Sequence, residues 1–553
     1  MKIKEIKNIV IAGNGWGGWY TALSFMHNFK NVSVTVIGSS KIPGLPVGES
    51  LAWNAPYSFN QLLGLSFDDQ REFMKKTGAI YKYGVTYDSL LADDQITYSG
   101  KTHDLKISAL KKFYGNFKPN DYFQPDALSD KKEYGTVEAW LWSYKESGCK
   151  KSFIDFQNEL NDAFHFATGP YTPHDEENKC ILREIDGIAY HIDADKCYKL
   201  LKQLSFEKVS DTKSLTEIDA VIQQVVVDEN NQVKHLVLDT GQIVKGDLYV
   251  DVTGFRKVLS KGINNPSWND LSKWTCNSGM VFPLRYTDPE KQMIGSTYFK
   301  GHTEGWRFRI NLYHRFGNGY IFKKELTDDQ TMLDMIHSEH GEQVDPLKLT
   351  WEPGYYTNPW YNNVIPLGIA SGFIDPFDGS NIANQSRQLK SLIHVLQKNK
   401  MMFSNQVINE YNTIGMPALH EIEIKIKMIF GMSKRSGIFW DLQRQRRKEE
   451  HLVEEMEDIL SHNMSKLEGK YILGWNWYQQ YVRLTSQVGL DISKFNIIKP
   501  PDREYELAKA FFEFNKSRNK YIKESKWQNF YQWHKENIFS GKTSDQIWEE
   551  INN

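Results

Sequence analysis

Apolar runs alternate with helical patterns along the first part of the chain. Residues 9–12 form a short apolar run, a glycine-rich turn and a helical pattern follow, and residues 32–37 alternate as a second strand. Strands that alternate with helices build parallel sheets. The pattern therefore predicts an α/β fold that opens with a strand, a helix and a second parallel strand.

A helix and a strand are predicted next. Ser66 and Asp69 form a capping pattern at the start of a helix over residues 66–76, and Gly78 ends it. Residues 79–87 are predicted as one strand, with Lys82 inside it. Among apolar and aromatic neighbours, this lysine is either a surface residue on a one-sided strand or a buried cation, and residue type alone favours the surface.

The later patterns predict a nucleotide-binding core with an insertion and a helical end. Residues 90–185 do not show the alternation of strand and helix patterns seen before them, so we predict an inserted lobe with helices at 136–146 and 153–164. An antiparallel sheet is predicted over 275–322. Other predicted elements are a hairpin at 221–238, strands at 248–252 and 363–368, and helices at 382–398, 418–430 and 439–462. The predicted domains are 1–87 (first part of the core), 88–185 (inserted lobe), 186–400 (core and covering sheet) and 401–553 (helical region).

Composition narrows the possible functions. The net charge is −2 and 40% of residues are hydrophobic, so there is no general attraction for nucleic acid or membrane surfaces. No apolar run approaches the ~18 residues of a membrane span. The four cysteines show no C-x-x-C spacing, so neither a metal site nor a disulfide framework is indicated. We expect a cytoplasmic protein without a signal peptide.

The opening turn carries the fingerprint G-x-G-x-x-G. Gly13 suits the tight turn, Gly15 allows the backbone to approach a pyrophosphate, and Gly18 lets the helix pack on the strand. A glycine-rich turn can also be only a turn. The second strand ends in Ser39 and Ser40 instead of an acid, which makes a nicotinamide dehydrogenase less favoured.

Three further stretches are candidates for a site. Glu49 lies in a Pro/Gly-rich loop at 46–50, as either a solvated carboxylate or a cofactor contact. Residues 253–256 (Thr-Gly-Phe-Arg) follow a strand and give a second flavoprotein signal. The polar loop 372–382 enters a helix, whose first amides can bind an anion.

Seven motifs together resemble the flavin-dependent halogenases of the tryptophan-halogenase type, over roughly residues 5–400. Several ordered matches at family spacing are more specific than the glycine fingerprint alone. The motifs are the glycine turn with its helix (13–22), Val-Gly-Glu-Ser (47–50), Lys82 in T-G-A-x-x-K, Tyr-His-Ile-Asp-Ala (190–194), D-L-x-x-D-x-x-G-F-R (247–256), the strand 306–312 and the loop 373–382.

This resemblance implies an FAD-binding Rossmann-type fold, similar to glutathione reductase, with an antiparallel substrate-side sheet and a helical C-terminal region. It implies an enzyme that uses reduced FAD from a separate flavin reductase, dioxygen and halide to make hypohalous acid for a small aromatic substrate. The C-terminal region would cap that substrate, and Trp475, Trp477, Tyr478 and Tyr481 either line its chamber or pack. A homo-oligomer is possible in this family.

The resemblance also implies roles for individual residues. Lys82 becomes a catalyst that presents the oxidised halogen, and Asp378 stabilises the ring intermediate or accepts its proton. Ser380 and Asn381 hold the halide. Trp306, Phe308 and Ile310 form a wall between flavin and substrate, although ordinary core packing also explains these side chains. The implied FAD contacts are Gly13, Gly15, Trp16, Gly17, Gly18, Ser39, Gly48, Glu49, Ser50, Thr253, Gly254, Asp375 and Ile382.

Several positions differ from the family pattern, among them two in the strand 306–312 and one in the loop 373–382 that bear on the chemistry. Phe308 replaces the second tryptophan of W-x-W-x-I-P, Asn311 replaces its proline, and Asp378 replaces the glutamate of P-L-E-S-T-G-I. A shift near 1 Å can cost about a hundredfold in rate, so the natural substrate and the position of halogenation stay open. An FAD-dependent aromatic monooxygenase and a non-catalytic flavin-binding protein remain alternatives.

Overall fold

A computed structural model describes residues 4–42, 48–51, 55–82, 84–94, 96–100, 189–415, 417–451 and 530–552. The predicted helices at 136–146 and 153–164 lie outside the described residues, as do the four aromatic residues predicted between 475 and 481. Within the described part of the chain, no helix is long and apolar enough to cross a membrane.

A five-stranded parallel sheet forms the centre of the fold. Its central strands, Asn8–Ala12 and Leu248–Asp251, are buried along almost their whole length. Helix Trp16–Asn28 packs on one face, and the hairpin strand Val233–Leu238 packs on the other. The predicted opening unit is confirmed, since helix Trp16–Asn28 connects the third and fourth strands of this sheet. The strand order is Val364–Pro366, Leu248–Asp251, Asn8–Ala12, Val32–Gly38 and Lys213–Asp219.

A seven-stranded sheet lies beside this core. The antiparallel sheet predicted over 275–322 is confirmed within it. One pairing is parallel instead, between Ser296–His302 and Gly84–Asp88. The strand order is Leu347–Thr350, Ser278–Leu284, Phe316–Phe322, Gly305–Asn311, Ser296–His302, Gly84–Asp88 and Ile96–Gly100.

A small antiparallel sheet lies against the seven-stranded sheet, where strand Gly48–Ser50 approaches strand Gly305–Asn311. Ala189–Asp193 is its central strand, and Gly48–Ser50 and Ile80–Lys82 flank it. Two predictions are wrong here. Residues 48–50 are a strand and not a loop, and 79–87 is not one strand, because Ile80–Lys82 belongs to this sheet whereas Gly84–Asp88 belongs to the seven-stranded one.

The remaining strands form three small sheets. The hairpin predicted at 221–238 is confirmed, and Asn231 in its turn has φ +63°. These sheets are Ile222–Val227 with Val233–Leu238 and Ile243–Val244, Trp268–Asp270 with Gly354–Tyr356 and Gly372–Phe373, and Lys4–Glu5 with Met402–Phe403.

The described C-terminal part is helical, as predicted. The helix predicted at 439–462 ends at Glu449, and the helix predicted at 382–398 begins at Ser380 because Gly379 ends the preceding turn with φ +62°. The capping box between Ser66 and Asp69 is confirmed. The helices are Trp16–Asn28, Ala55–Ser58, Phe67–Thr77, Ala194–Phe206, Val258–Gly262, Pro289–Gln292, Asp329–His340, Ser380–Lys398, Asn405–Gly415, Pro417–Met432, Ile438–Glu449, Phe530–Asn537 and Ser544–Asn552.

Candidate active site

The glycine turn after strand Asn8–Ala12 has a backbone that requires glycine at its first position. Gly13 has φ +116°, and a Cβ there would lie 2.5 Å from the carbonyl oxygen of Val252. At Gly15 no atom lies within 4 Å of the place where a Cβ would stand. One glycine therefore closes the turn, and the other borders open space that can hold a ligand.

The helix Trp16–Asn28 begins at this open space. Gly15 caps it without a side chain, and its first turn contains no acidic residue. The first amides, from Trp16 to Gly18, are therefore available at the positive end of the helix dipole, where a dinucleotide phosphate binds. The Trp16 indole packs inward and stacks on Tyr20 at 5.3 Å between ring centroids. This terminus fits the pyrophosphate of FAD.

The end of the second parallel strand carries an acid that the sequence did not reveal. Ser39 is buried, and the next residue, Ser40, donates from its N–H and its hydroxyl to Asp219 at 2.8 and 2.6 Å. These two hydrogen bonds lower the pKa of the Asp219 carboxyl. Asp219 ends the neighbouring strand Lys213–Asp219, so a carboxylate lies beside the position where dinucleotide folds bind ribose hydroxyls.

The second predicted cofactor loop is held by a buried carboxylate. Asp251 accepts hydrogen bonds from the N–H and the hydroxyl of Thr253 at 3.1 and 2.7 Å, and from the N–H groups of Leu259 and Ser260. Gly254 has φ +61°, and the place of a Cβ there is open to 4 Å. Thr253 thus shapes the loop, while the backbone at Gly254 faces free space.

The small sheet approaches the predicted wall closely. A Cβ on Gly48 would lie 2.9 Å from the Ile310 side chain, so glycine allows this contact. Glu49 is half-buried, and loss of water around its carboxyl raises the pKa to about 7. Gly48 therefore lies beside Ile310, and the carboxyl of the next residue, Glu49, is about half protonated near pH 7.

Lys82 is buried. Only 7% of the residue is exposed, so the surface interpretation is wrong. Its Nζ donates to the Ser50 hydroxyl oxygen at 2.7 Å and to the Leu51 carbonyl at 3.3 Å. A lysine ammonium is seldom buried in this way without a specific reason.

The predicted wall residues lie on one face of strand Gly305–Asn311. Trp306, Phe308 and Ile310 alternate along it and are all buried. Trp306 meets Phe377 edge to face, with the ring centroids 5.4 Å apart. Phe308 covers Gly319 on the neighbouring strand, where any larger residue would overlap its ring.

The predicted halide loop lies directly against Ser50. The Asp375 carboxyl is buried, which raises its pKa well above the usual range, and it accepts a hydrogen bond from Phe377 N–H at 3.1 Å. A Cβ on Gly379 would lie 2.5 Å from the Ser50 carbonyl oxygen. The helix Ser380–Lys398 follows with no acidic residue in its first turn and no capping side chain.

Lys82 and the predicted halide loop thus meet at Ser50. The Ser50 hydroxyl accepts a hydrogen bond from Lys82, and the Ser50 carbonyl oxygen and side chain also lie close to Gly379, the residue before helix Ser380–Lys398. Ile382 lies buried in the first turn of the same helix. The side chains of Asp378 and Ser380 lie outside the described part of the structure, so their roles stay predictions.

Three residues near Lys82 were given no role from the sequence. His191 and Thr297 extend the hydrogen bonds of Ser50, and His534 contacts the strand of Lys82. His191 stands in a matched family motif and in an apolar strand, which was a usable signal. The sequence around Thr297 and His534 carried no such signal, because only folding brings these residues near Lys82.

The tryptophan halogenase family matches residues 8–482 of the chain. Because this match covers most of the sequence, the chain belongs to the tryptophan halogenase family. It is accordingly an enzyme, an oxidoreductase of the halogenase type, as the sequence motifs predicted.

Individual relatives agree with this assignment. The tryptophan 6-halogenase ThaL of Streptomyces albogriseolus is 23% identical over 419 residues, 74% of this chain and 73% of ThaL. The tryptophan 7-halogenase RebH of Lentzea aerocolonigenes is 22% identical and covers 68% of each chain. The fold matches that of Xcc4156, a flavin-dependent halogenase from Xanthomonas campestris, with a TM-score of 0.72, 22% identity and coverage of 96% and 98%.

Proposed function

We propose that the enzyme uses reduced FAD, dioxygen and halide, and that hypohalous acid is delivered through Lys82 to an electron-rich aromatic ring of the indole or phenol type. The observation that carries this proposal is the buried Lys82 ammonium, bonded to Ser50 beside the turn Phe377–Gly379. That turn directly precedes helix Ser380–Lys398, whose first residues, Ser380 and Asn381, are the halide candidates. One residue, Ser50, thereby joins the two predicted sites.

The cofactor contacts follow from the two open turns. Gly15 to Gly18 would hold the pyrophosphate, and Gly254 would border the other side of the flavin. When bound, reduced FAD together with dioxygen would supply the oxidising equivalents that convert halide to hypohalous acid. Ser39, and Asp219 beside the end of the same strand, would contact the ribose of the adenosine part.

The halide would bind at the start of helix Ser380–Lys398. The amides of Ser380 and Asn381 lie in a first turn without an acidic residue, so the positive end of the helix is not neutralised. Because Gly379 touches Ser50, the halide would lie on the same side of the small sheet as Lys82.

Lys82 would act as a hydrogen-bond donor to the oxidant. An N–H directed at the oxygen of hypohalous acid makes the oxygen–halogen bond easier to break. The aromatic carbon then forms the carbon–halogen bond as the oxygen–halogen bond breaks, and the remaining hydroxide takes a proton from Lys82 and leaves as water. The ring proton would pass to Asp378, and its later return to Lys82 would restore the ammonium. Buried surroundings strengthen the effect of the ammonium charge.

The wall of Trp306, Phe308 and Ile310 would separate the flavin from the organic substrate. All three side chains are buried and packed, so they can exclude a ring while a small oxidant passes beside them. This separation would favour halogenation over direct hydroxylation. The helical region 401–553 would cap the substrate. Five of its helices are described: Asn405–Gly415, Pro417–Met432, Ile438–Glu449, Phe530–Asn537 and Ser544–Asn552.

The test is a turnover assay with a separate flavin reductase, NADH, FAD and bromide. We expect brominated indoles or phenols, recognised by the bromine isotope doublet in mass spectra. Hydroxylated product that forms without halide would favour an aromatic monooxygenase. Tightly bound oxidised flavin without any turnover would overturn the proposal in favour of a flavin-binding protein.

A further inference from the structure

A continuous line of buried hydrogen bonds begins at Lys82. Its Nζ lies 2.7 Å from Ser50 Oγ, and Ser50 Oγ lies 2.9 Å from Thr297 Oγ1. Thr297 Oγ1 lies 2.8 Å from Nε2 of His191, and Nδ1 of His191 lies 3.0 Å from the carbonyl oxygen of Asn311. All five residues are buried. Four successive contacts therefore connect the ammonium to a backbone carbonyl.

The carbonyl group of Asn311, at the end of this line, determines which atom is the donor in each of the hydrogen bonds. A carbonyl oxygen only accepts, so Nδ1 of His191 carries the hydrogen and donates to Asn311. Burial, together with the charge of Lys82, lowers the pKa of His191 well below its ordinary value, so the imidazole is neutral and Nε2 accepts. The hydroxyl of Thr297 consequently donates to His191, and that of Ser50 donates to Thr297.

The lone pairs of Ser50 are left facing Lys82. With its only hydrogen engaged by Thr297, the Ser50 hydroxyl can accept from the ammonium but cannot donate to it. A serine without this restraint could rotate and offer either its hydrogen or its lone pair.

We propose that His191 and Thr297 are positioning residues for Lys82, which orient Ser50 so that the ammonium is held in one direction. This inference rests on the proposed role of Lys82. The line also crosses between sheets, because Ser50 and His191 belong to the small sheet and Thr297 to the seven-stranded sheet. It therefore fixes the lysine relative to the sheet that carries the wall.

The test compares Thr297→Val with Thr297→Ser. Valine keeps the shape but removes the hydroxyl, whereas serine keeps the hydroxyl. Each variant is assayed for brominated substrate and for hypobromous acid that escapes to solution, captured as the N-bromo product of taurine. We expect the ratio of brominated substrate to escaped oxidant to fall about tenfold in Thr297→Val. Thr297→Ser should restore it.

Thr86→Val is the matched control. The Thr86 hydroxyl is also buried and bonded, to Ser296 at 2.8 Å on the strand that carries Thr297, but it stands outside the line to Lys82. We expect its ratio to equal that of the unchanged protein. An unchanged ratio in Thr297→Val, or an equal fall in Thr86→Val, would overturn the inference.

Two further variants keep the inference separate from the proposed function. If Thr297→Val does not fold, Ser50→Ala removes the acceptor directly and should give the same fall in the ratio; an unchanged ratio there would overturn the inference. If Lys82→Ala still halogenates, the proposed function fails. If Lys82→Ala is inactive while Thr297→Val keeps the normal ratio, only the role of the hydrogen-bonded line fails.

Discussion

The backbone N–H of Tyr81 donates a hydrogen bond to Nε2 of His534 at 3.2 Å. Tyr81 precedes Lys82 on an edge strand, and His534 comes from helix Phe530–Asn537. The imidazole is fully buried, and its Nδ1 donates to the carbonyl oxygen of Phe530 at 2.9 Å. A C-terminal helix thus covers the open edge of the strand that carries the proposed catalyst.

Replacing His534 by alanine should destabilise the fold and disturb Lys82. The change leaves a buried N–H on Tyr81 without a partner and opens a cavity, together costing about 2–4 kcal/mol. Denaturant unfolding measures the stability, and the brominated yield per NADH measures the effect on the site. Glu536→Ala, at an exposed position of the same helix, is the control. Equal stability of the two variants would contradict the expectation.

Stability should fall steeply in acid. Burial lowers the pKa of His534 to about 3 and that of His314 to about 4, both from an ordinary value of 6.5. Below about pH 6.5 these histidines are protonated in the unfolded chain but stay neutral in the folded chain. The free energy of unfolding therefore decreases as the pH falls from about 6.5 to about 3. Urea titrations at several pH values measure this slope. His534→Gln should flatten it, and an unchanged slope would argue against a neutral buried imidazole.

Lys82→Ala should abolish halogenation of the substrate while flavin chemistry continues. We expect at least about a hundredfold loss of brominated product, because the charge that develops on the oxygen of hypohalous acid loses the buried Lys82 ammonium as its partner. Peroxide formation driven by NADH should persist. Lys323→Met is a matched control, since Lys323 is also buried but donates to the carbonyl oxygens of Ser272 and Thr275. Loss of flavin binding in Lys82→Ala would count against the assignment.

Gly379→Ala should weaken halide use. The added Cβ would meet the Ser50 carbonyl oxygen at 2.5 Å, and the backbone has φ +62°, so the start of helix Ser380–Lys398 must shift. We expect the half-saturating bromide concentration to rise about tenfold or more. Gly541→Ala isolates the backbone effect, because Gly541 has φ +83° with nothing within 4 Å. A similar rise in both variants would show that strain alone is responsible.

Gly15→Ala should separate cofactor binding from folding. Open space surrounds the place of its Cβ, so the unfolding temperature without cofactor should stay within a few degrees of normal. The new methyl group occupies the proposed pyrophosphate site, and we expect the dissociation constant for FAD to rise about tenfold or more. Fluorescence titration measures it. Gly13→Ala should instead lower the unfolding temperature, and normal FAD affinity in Gly15→Ala would exclude this turn as the phosphate site.

The parallel core was predictable because its signals are local. The strand, glycine turn and helix of residues 8–28 follow one another directly, and the capping box of Ser66 and Asp69 spans four residues. The family resemblance also predicted a buried lysine at position 82, which residue type alone did not, and Lys82 is buried.

The surroundings of Lys82 were not predictable, because they come from distant parts of the chain. Ser50 and Thr297 are 247 positions apart, and no periodicity shows that a small sheet joins a larger one between Lys82 and Gly84. Asp219 was missed for the same reason, since it comes from the strand Lys213–Asp219 and meets Ser40 across 179 positions of the chain.

The bond between Tyr81 and His534 spans 453 positions of the chain. During synthesis on the ribosome, the edge beside Lys82 therefore stays uncovered until the helix Phe530–Asn537 has emerged. Contacts of such long separation close late, after much of the loop entropy has been lost. The glycine turn of residues 13–18 can assemble early, whereas Lys82 reaches its final surroundings among the last steps of folding.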